Sequence, residues 1–409
     1  MANNNKHTGP NVPALRFPEF SGEWEKFRVS DFIEFFPTNS LSWDQLEYRG
    51  AGLLNLHYGM IHNGLPVQVD ASKDALPSIK EDYYPKKYTL CKEGDIAFAD
   101  ASEDTNDVGK AIEFNNCAGK SIVCGLHTIH GRDRLGLTSI GFKGYLFSSK
   151  VYHDQIKSIA QGTKVFSIKA SNFDEVILGL PKIEEQKKIS SLLMAIDDRI
   201  LTQTKIIEEL TTLRSALTEK CSRQAGTLFS LADILEETDE RSTVVNQYQV
   251  LSSTVKGIFS QKEYFNKDIA SEDNKGYKVV RRGNVVLSPQ NLWMGNINYN
   301  NRFDVGIVSP SYKIYSIKKG FNPTFIAALL KTKKALYEYM LASEQGASVV
   351  RRNLNVEAFM GITFRIPNAY QQEVLSKAIT AIDSKLNNEL AIFEQLQLQK
   401  GSLLENMFI

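Results

Sequence analysis

Four cysteines in 409 residues, Cys91, Cys117, Cys124 and Cys221, are too few and too scattered for a disulfide framework. None forms a CxxC pair, so ordinary buried thiols in a reducing compartment are expected. No apolar run approaches the roughly 20 residues that cross a bilayer. Residues 1–11 are polar, whereas a secretory signal would be charged and then apolar. The expected location is therefore the cytoplasm, with no membrane partner. Charge of one sign is missing as well: 48 Lys+Arg against 47 Asp+Glu leave a net charge of +1. A protein that held nucleic acid by blanket phosphate neutralisation would be more basic. Any DNA binding must therefore rest on local patches and specific contacts, or on help from a partner.

Enzyme signatures are missing too. There is no GxxxxGK[ST] phosphate loop, no HExxH, no GxSxG elbow and no glycine-rich dinucleotide fingerprint. Cys124, His127 and His130 have a ligand-like spacing, but no second half of a zinc site follows in the chain, so no metal site is expected. Asn322-Pro323-Thr324-Phe325 reads as a helix start with proline in its first turn. Asp100, Glu103, Asp104 and Asp107 read as a solvated loop. No catalytic residue is assigned.

What is present is a duplication. Leu180-Pro181, Gln186, Ala195-Ile196-Asp197, Glu208 and Leu217 reappear as Ile366-Pro367, Gln372, Ala381-Ile382-Asp383, Glu394 and Leu403, always 186 residues later. Upstream segments correspond with shifting offsets, which imply loop insertions. Val29-Ser30-Asp31-Phe32 matches Leu231-Ala232-Asp233-Ile234, Glu93-Gly94-Asp95-Ile96 matches Arg282-Gly283-Asn284-Val285, and Ile122-Val123-Cys124 matches Ile307-Val308-Ser309. The implied organisation is a globular domain over 1–180, a long helix over 181–222, a second globular domain over 223–366 and a second long helix over 367–409. Residues 223–366 carry 19 basic against 13 acidic residues, and residues 1–180 carry 19 against 22, so only the second domain is basic.

Both globular parts read as α+β, with strands at Asp95–Phe98, Ser121–Val123, Val285–Leu287 and Ile314–Ile317 and helical spacing from Pro323 to Met340. In the first long helix Ile189, Leu193, Ile196, Ile200, Ile207, Leu210, Leu217 and Cys221 form an apolar seam. Leu375, Ile379, Ile382, Leu386, Leu390, Phe393, Leu396, Leu403 and Met407 repeat it in the second. Neither seam is stable in water. An intramolecular antiparallel coiled coil separating the two globular domains, with an internal pseudo-twofold repeat, is the economical solution. The other arrangements are a helix lying on its own domain, or homodimerisation.

The order of domain, helix, domain, helix, together with Leu15-Arg16-Phe17-Pro18-Glu19-Phe20 before Trp24 and the repeated Pro-x4-Gln, closely resembles the specificity subunit of type I restriction–modification systems. The resemblance implies that each globular unit is a target recognition domain reading one half of a split DNA sequence. It implies that the paired helices act as a spacer and dock two modification subunits. Double-stranded DNA and separate restriction subunits complete the implied partners. The chain itself is then a recognition subunit that binds no cofactor: S-adenosylmethionine would serve the adenine methyltransferase subunits, and ATP with Mg2+ the endonuclease. The alternatives are a stand-alone bipartite DNA-binding protein and a coiled-coil scaffold without methyltransferase partners.

Base reading needs forked or amide side chains, and phosphates need cations and hydroxyls. In the second domain Gln290, Asn291 and Trp293, followed by Asn296, Asn298, Asn301 and Arg302, form an amide-rich, aromatic-bearing stretch. Tyr312, Lys313, Arg351 and Arg352 join them as candidates. In the first domain the candidates are Lys110, Lys120, His127, Arg132, Arg134, Thr163 and Lys164.

Overall fold

The computed structural model describes residues 11–48, 52–265, 273–345 and 352–409. The chain divides into two compact units, one of residues 1–203 with 392–409 and the other of residues 204–391. Each unit therefore takes in the start or end of both long helices, which span Ile183–Ser222 and Ala369–Asn406. No helix among the described residues is long and apolar enough to cross a membrane.

In the first unit a five-stranded sheet runs in the order Ile33–Phe36, Thr128–Asp133, Ile96–Ala99, Ala111–Asn116 and Gln68–Asp70. All its pairs are antiparallel except the last. A four-stranded sheet sets Ile122–Cys124 parallel to Leu54–Leu56 and continues through Ser78–Ile79 to Leu46–Glu47. Strand Glu25–Arg28 pairs with Ile177–Leu180, directly before the first long helix.

The second unit repeats this plan. Thr227–Ser230 pairs with Thr363–Ile366 before the second long helix. The short helix Leu231–Ile234 occupies the place that Val29–Phe32 holds in the first unit. Its sheet order, Leu235–Thr238, Lys313–Ile317, Asn284–Leu287, parallels the first three strands of the five-stranded sheet, and Ile297–Tyr299 completes it. Even the parallel pairing recurs, as a single bridge between Val250 and Ile307. The duplication read from short strings is thus a duplication of topology. The helical stretch expected over Pro323–Met340 is two helices, Pro323–Leu329 and Lys333–Leu341, because Thr332 caps the second by accepting from the Ala335 N–H.

The repeated Pro-x4-Gln has a definite structural role. Gln186 is fully buried; its Nε2 donates to the Pro181 and Leu137 carbonyls, and its Oε1 accepts from the Ser139 N–H at 2.8 Å. Gln372 likewise donates to the Pro367 carbonyl at 2.8 Å and accepts from the Asn322 N–H at 2.9 Å. Each glutamine ties the first turn of a long helix to the loop that must lie against it. The opening Leu-Arg-Phe segment is held by both helices within the first unit: the Leu15 N–H donates to the Asn406 carbonyl at 2.9 Å, Arg16 forks onto the buried Glu185 at 2.7 and 2.8 Å, and Trp24 Nε1 reaches the same carboxylate.

In the first unit Ile189, Leu193 and Ile196 are buried in one core with Leu403, Met407 and Phe408, and Ile200 packs against it. Gly179 sits so close to Ile409 that a Cβ would come within 2.5 Å of its side chain. In the second unit Cys221, Leu375 and Ile379 are core residues, with Leu217 packed beside them. Leu396 is buried; Ile207, Leu210, Ile382, Leu386 and Phe393 are half-buried. Leu390 departs from the expected seam and is exposed.

Candidate nucleic-acid interface

In the first unit the four-stranded sheet presents an aromatic patch. The chain leaves strand Leu54–Leu56 into His57, whose Nδ1 accepts from the Gly59 N–H and caps the short helix Tyr58–His62. The Trp43 ring lies 4.3 Å from the His57 ring and Tyr58 lies 4.8 Å from it, with the His127 ring 5.1 Å from Tyr58, edge to face. His127 adopts a left-handed backbone at φ 55°, which costs a non-glycine residue about 1–3 kcal/mol. Its ring is held by Asp100 at 3.0 Å. Lys110 Nζ donates to the His62 carbonyl at 3.0 Å, which brings it to the same patch. Burial, with the charge of His127 beside it, pushes the His57 imidazole below its ordinary value. Trp43, stacked on His57 on one side, is still 45% exposed, high for a tryptophan.

Beside this patch Tyr84 OH accepts from the Leu53 N–H at 3.2 Å, and Lys80 Nζ donates to the Asp44 carbonyl. Tyr83, Tyr84 and Tyr88 are exposed. Sequence reasoning missed Trp43, Tyr58 and these tyrosines. The signal was there: Lys80 to Tyr88 holds three lysines and three tyrosines in nine residues, the pairing of cation and flat ring that backbone and base contacts use.

Of the other candidates in the first unit, three serve the fold. Arg132 forks onto the buried Asp95, with Nε and Nη2 both at 2.7 Å, and lies over the Phe36 ring. Arg134 donates to the Asp31 and Ser30 carbonyls, and Lys120 Nζ to the Ala71 carbonyl. Thr163 and Lys164 are exposed on a separate turn that the Gln161–Ser167 pairing closes.

The amide-rich stretch of the second unit is mostly turned inward. Asn296 and Asn298 are buried: Asn296 accepts from Ser253 Oγ and donates to the Ser253 carbonyl, and Asn298 donates to Ser253 Oγ and the Thr254 carbonyl. Tyr312 OH also donates to the Ser253 carbonyl. These side chains brace the Leu251–Thr254 and Gly257–Ser260 hairpin, so most of their hydrogen-bonding capacity is spent within the fold. Lys313 pairs with Glu237 at 2.7 Å.

Two groupings with exposed members remain among the described residues. The Arg352 guanidinium lies 4.6 Å from the centre of the Trp293 ring, and its backbone N–H donates to the carbonyl of the exposed Gln290. Asn291 accepts from Met294 in the turn between them, and Arg351 lies outside the described residues. The second grouping is a groove of about 620 Å³ lined by Lys256, Asn301, Arg302, Lys331, Arg214 and Asp383 among others. Arg302 stacks on Phe303 and pairs with Glu263, and Arg214 pairs with Asp383. Lys331 donates to the Gly295 carbonyl; burial, with Arg214 nearby, pushes its ammonium down to about 8.

Residues 136–212, from the loop after strand Thr128–Asp133 into the first long helix, match the family model of the type I restriction modification DNA specificity domain. That segment is similar to a type I specificity domain. The S subunit of a type I restriction–modification system from M. genitalium, 14% identical, shares the fold over 97% of this chain and 99% of its own, with a TM-score of 0.58. A chain from a structural description of complex assembly and conformational transition of the type I R-M system, 12% identical, does so over 93% and 96%, with a TM-score of 0.53. No curated protein matches the sequence. The α+β fold with long helices is thus shared with these two solved chains over nearly all of this one.

Proposed function

We propose that this chain is the sequence-specificity subunit of a type I restriction–modification complex, and that each unit reads one half of a split DNA target. The observation that carries the proposal is the duplicated topology with unlike surfaces. The first unit exposes Trp43 with Tyr58 and His127 beside it, while the second exposes Gln290 beside the Trp293–Arg352 pair. One scaffold with two surfaces fits two different half-sites. The long helices, 40 and 38 residues, set the gap between those half-sites. Two modification subunits dock on them, for which the exposed Leu201, Leu213, Leu390, Ile392 and Leu398 provide apolar ground. Adenine methylation and cleavage belong to partner subunits, with S-adenosylmethionine and ATP with Mg2+ as their cofactors.

The test is a genome-wide map of N6-methyladenine in cells with and without this chain, its partners present. Loss of one split motif with a fixed gap is the expected result. An unchanged map, with the partners shown to be expressed, would mean that the chain does not direct methylation.

A further inference from the structure

Cys91 lies 33 residues upstream of Cys124 in sequence but beside it in space. The Cys91 N–H donates to the Ile122 carbonyl at 2.8 Å, which lays its loop along the strand Ile122–Cys124, and the two Sγ atoms are 3.6 Å apart. His130, on the neighbouring strand, completes a group in which one ligand atom from each residue lies within 4.8 Å of the others; all three residues are buried. His130 Nε2 donates to Asp95 Oδ2 at 2.8 Å. With that nitrogen protonated, Nδ1 carries a lone pair, and it is buried with no hydrogen-bond partner. A buried acceptor left unpaired costs about 1–3 kcal/mol and calls for a reason.

A tetrahedral zinc ion supplies one. Zn–S bonds of about 2.3 Å place two thiolates about 3.8 Å apart, close to the separation found. Zinc-binding histidines usually give their second nitrogen to a carboxylate. Asp95 is such a carboxylate, fixed in turn by Arg132 and the Lys92 N–H. We propose that Cys91 Sγ, Cys124 Sγ and His130 Nδ1 hold a zinc ion in the first unit. Binding displaces the two thiol protons, so the ion and two thiolates are together neutral. A pocket of about 170 Å³ between Thr38, Asn39, Tyr88 and Cys124 gives access and room for a solvent molecule in the fourth position. The ion would staple the turn between Cys124 and His130, which carries His127 into the aromatic patch. This site does not depend on the proposed DNA role, because its test reads metal and not DNA.

The full chain, purified under reducing conditions, is stripped of metal, titrated with Zn2+ and Co2+, and assayed by elemental analysis. One zinc per chain is expected, and cobalt should give a thiolate charge-transfer band with tetrahedral d–d absorption. Cys124→Ser and His130→Ala should lose both signals, while Cys221→Ala, altered in the other unit, should keep them. Thermal melting of the metal-free chain and the variants checks that they fold. A folded wild-type chain that takes up no zinc and gives no cobalt spectrum overturns the proposal. So does a Cys221→Ala chain that loses the metal as completely as Cys124→Ser, or a metal-free Cys91–Cys124 disulfide found in protein purified without reductant.

Discussion

Asp197 pairs with Lys400 at 2.5 Å in the first unit, and Asp383 pairs with Arg214 at 2.5 Å in the second. Asp383 lies 186 residues after Asp197, and Lys400 lies 186 after Arg214. The same ion pair is made twice, with the helices exchanging the roles of donor and acceptor. Within the first unit, Gly179 donates to Ile409 while Asp197 meets Lys400, so the two helix segments run antiparallel there. The strict spacing of the repeat is therefore tied to contacts that each copy must make.

The two pairs should differ in worth. Asp197 also receives the Tyr145 hydroxyl at 2.9 Å, and its pair is about a quarter exposed, against 37% on both sides for Asp383 and Arg214. Asp197→Asn should lower unfolding free energy by about 1–3 kcal/mol and Asp383→Asn by about 0–1 kcal/mol. Urea denaturation of both variants measures this, and equal losses would contradict the assignment.

Gln186→Ala strands the Ser139 N–H and the Pro181 and Leu137 carbonyls, and Gln372→Ala strands the Asn322 N–H and the Pro367 carbonyl. Each should cost about 1–3 kcal/mol, and Glu at either site should not rescue, because a carboxylate cannot donate to the proline carbonyl. Hydrogen exchange of the Ser139 and Asn322 amides provides the local readout, with faster exchange expected.

DNA recognition should separate by unit. His127→Asn keeps a residue tolerant of the left-handed backbone while removing the ring. It should weaken DNA binding by about tenfold, the scale of one lost base contact, with little change in melting temperature. In the methylation map it should relax one half-site only, while Arg352→Ala relaxes the other. Relaxation of both half-sites by either variant would argue against separate reading.

Lys331 gives a pH dependence with a fixed sign. Its folded value of about 8 lies below the roughly 10.4 of an unfolded lysine, so between these values the unfolded chain binds more protons. Stability should therefore gain from this residue as pH rises from about 8 to 10, whereas at neutral pH the charged, buried lysine is a cost. Lys331→Met should melt higher than wild type at pH 7, with the gap closing toward pH 10. A pH-independent gap would mean that the ammonium is not desolvated.

The helices were legible in the sequence because 3.6-residue periodicity is local: Ile189, Leu193 and Ile196 declare a buried face whatever covers it. The strands were legible for a similar reason, from apolar runs punctuated by Gly, Pro and Asn. The interface was not. Asn296, Asn298 and Asn300 alternate along a strand and so share one face, yet nothing in the alternation tells whether that face meets water or another hairpin. The hairpin around Ser253 takes up Asn296 and Asn298, while Asn300 folds onto the Phe303 backbone. Arg132 and Arg134 look like free cations as letters and are spent on Asp95 and on backbone carbonyls.

By itself, then, the sequence determined that there are two copies of one plan, that each ends in a long helix, and that the helix residues keep step at 186 positions. Those are properties of periodicity and spacing, which need no knowledge of neighbours. Only the tertiary structure decided which polar side chains face outward, that Trp43, Tyr58 and His127 share a surface, and that Cys91 stands 3.6 Å from Cys124. These depend on strand pairings between residues far apart in the chain, and burial of a polar group is settled by whatever those pairings bring against it.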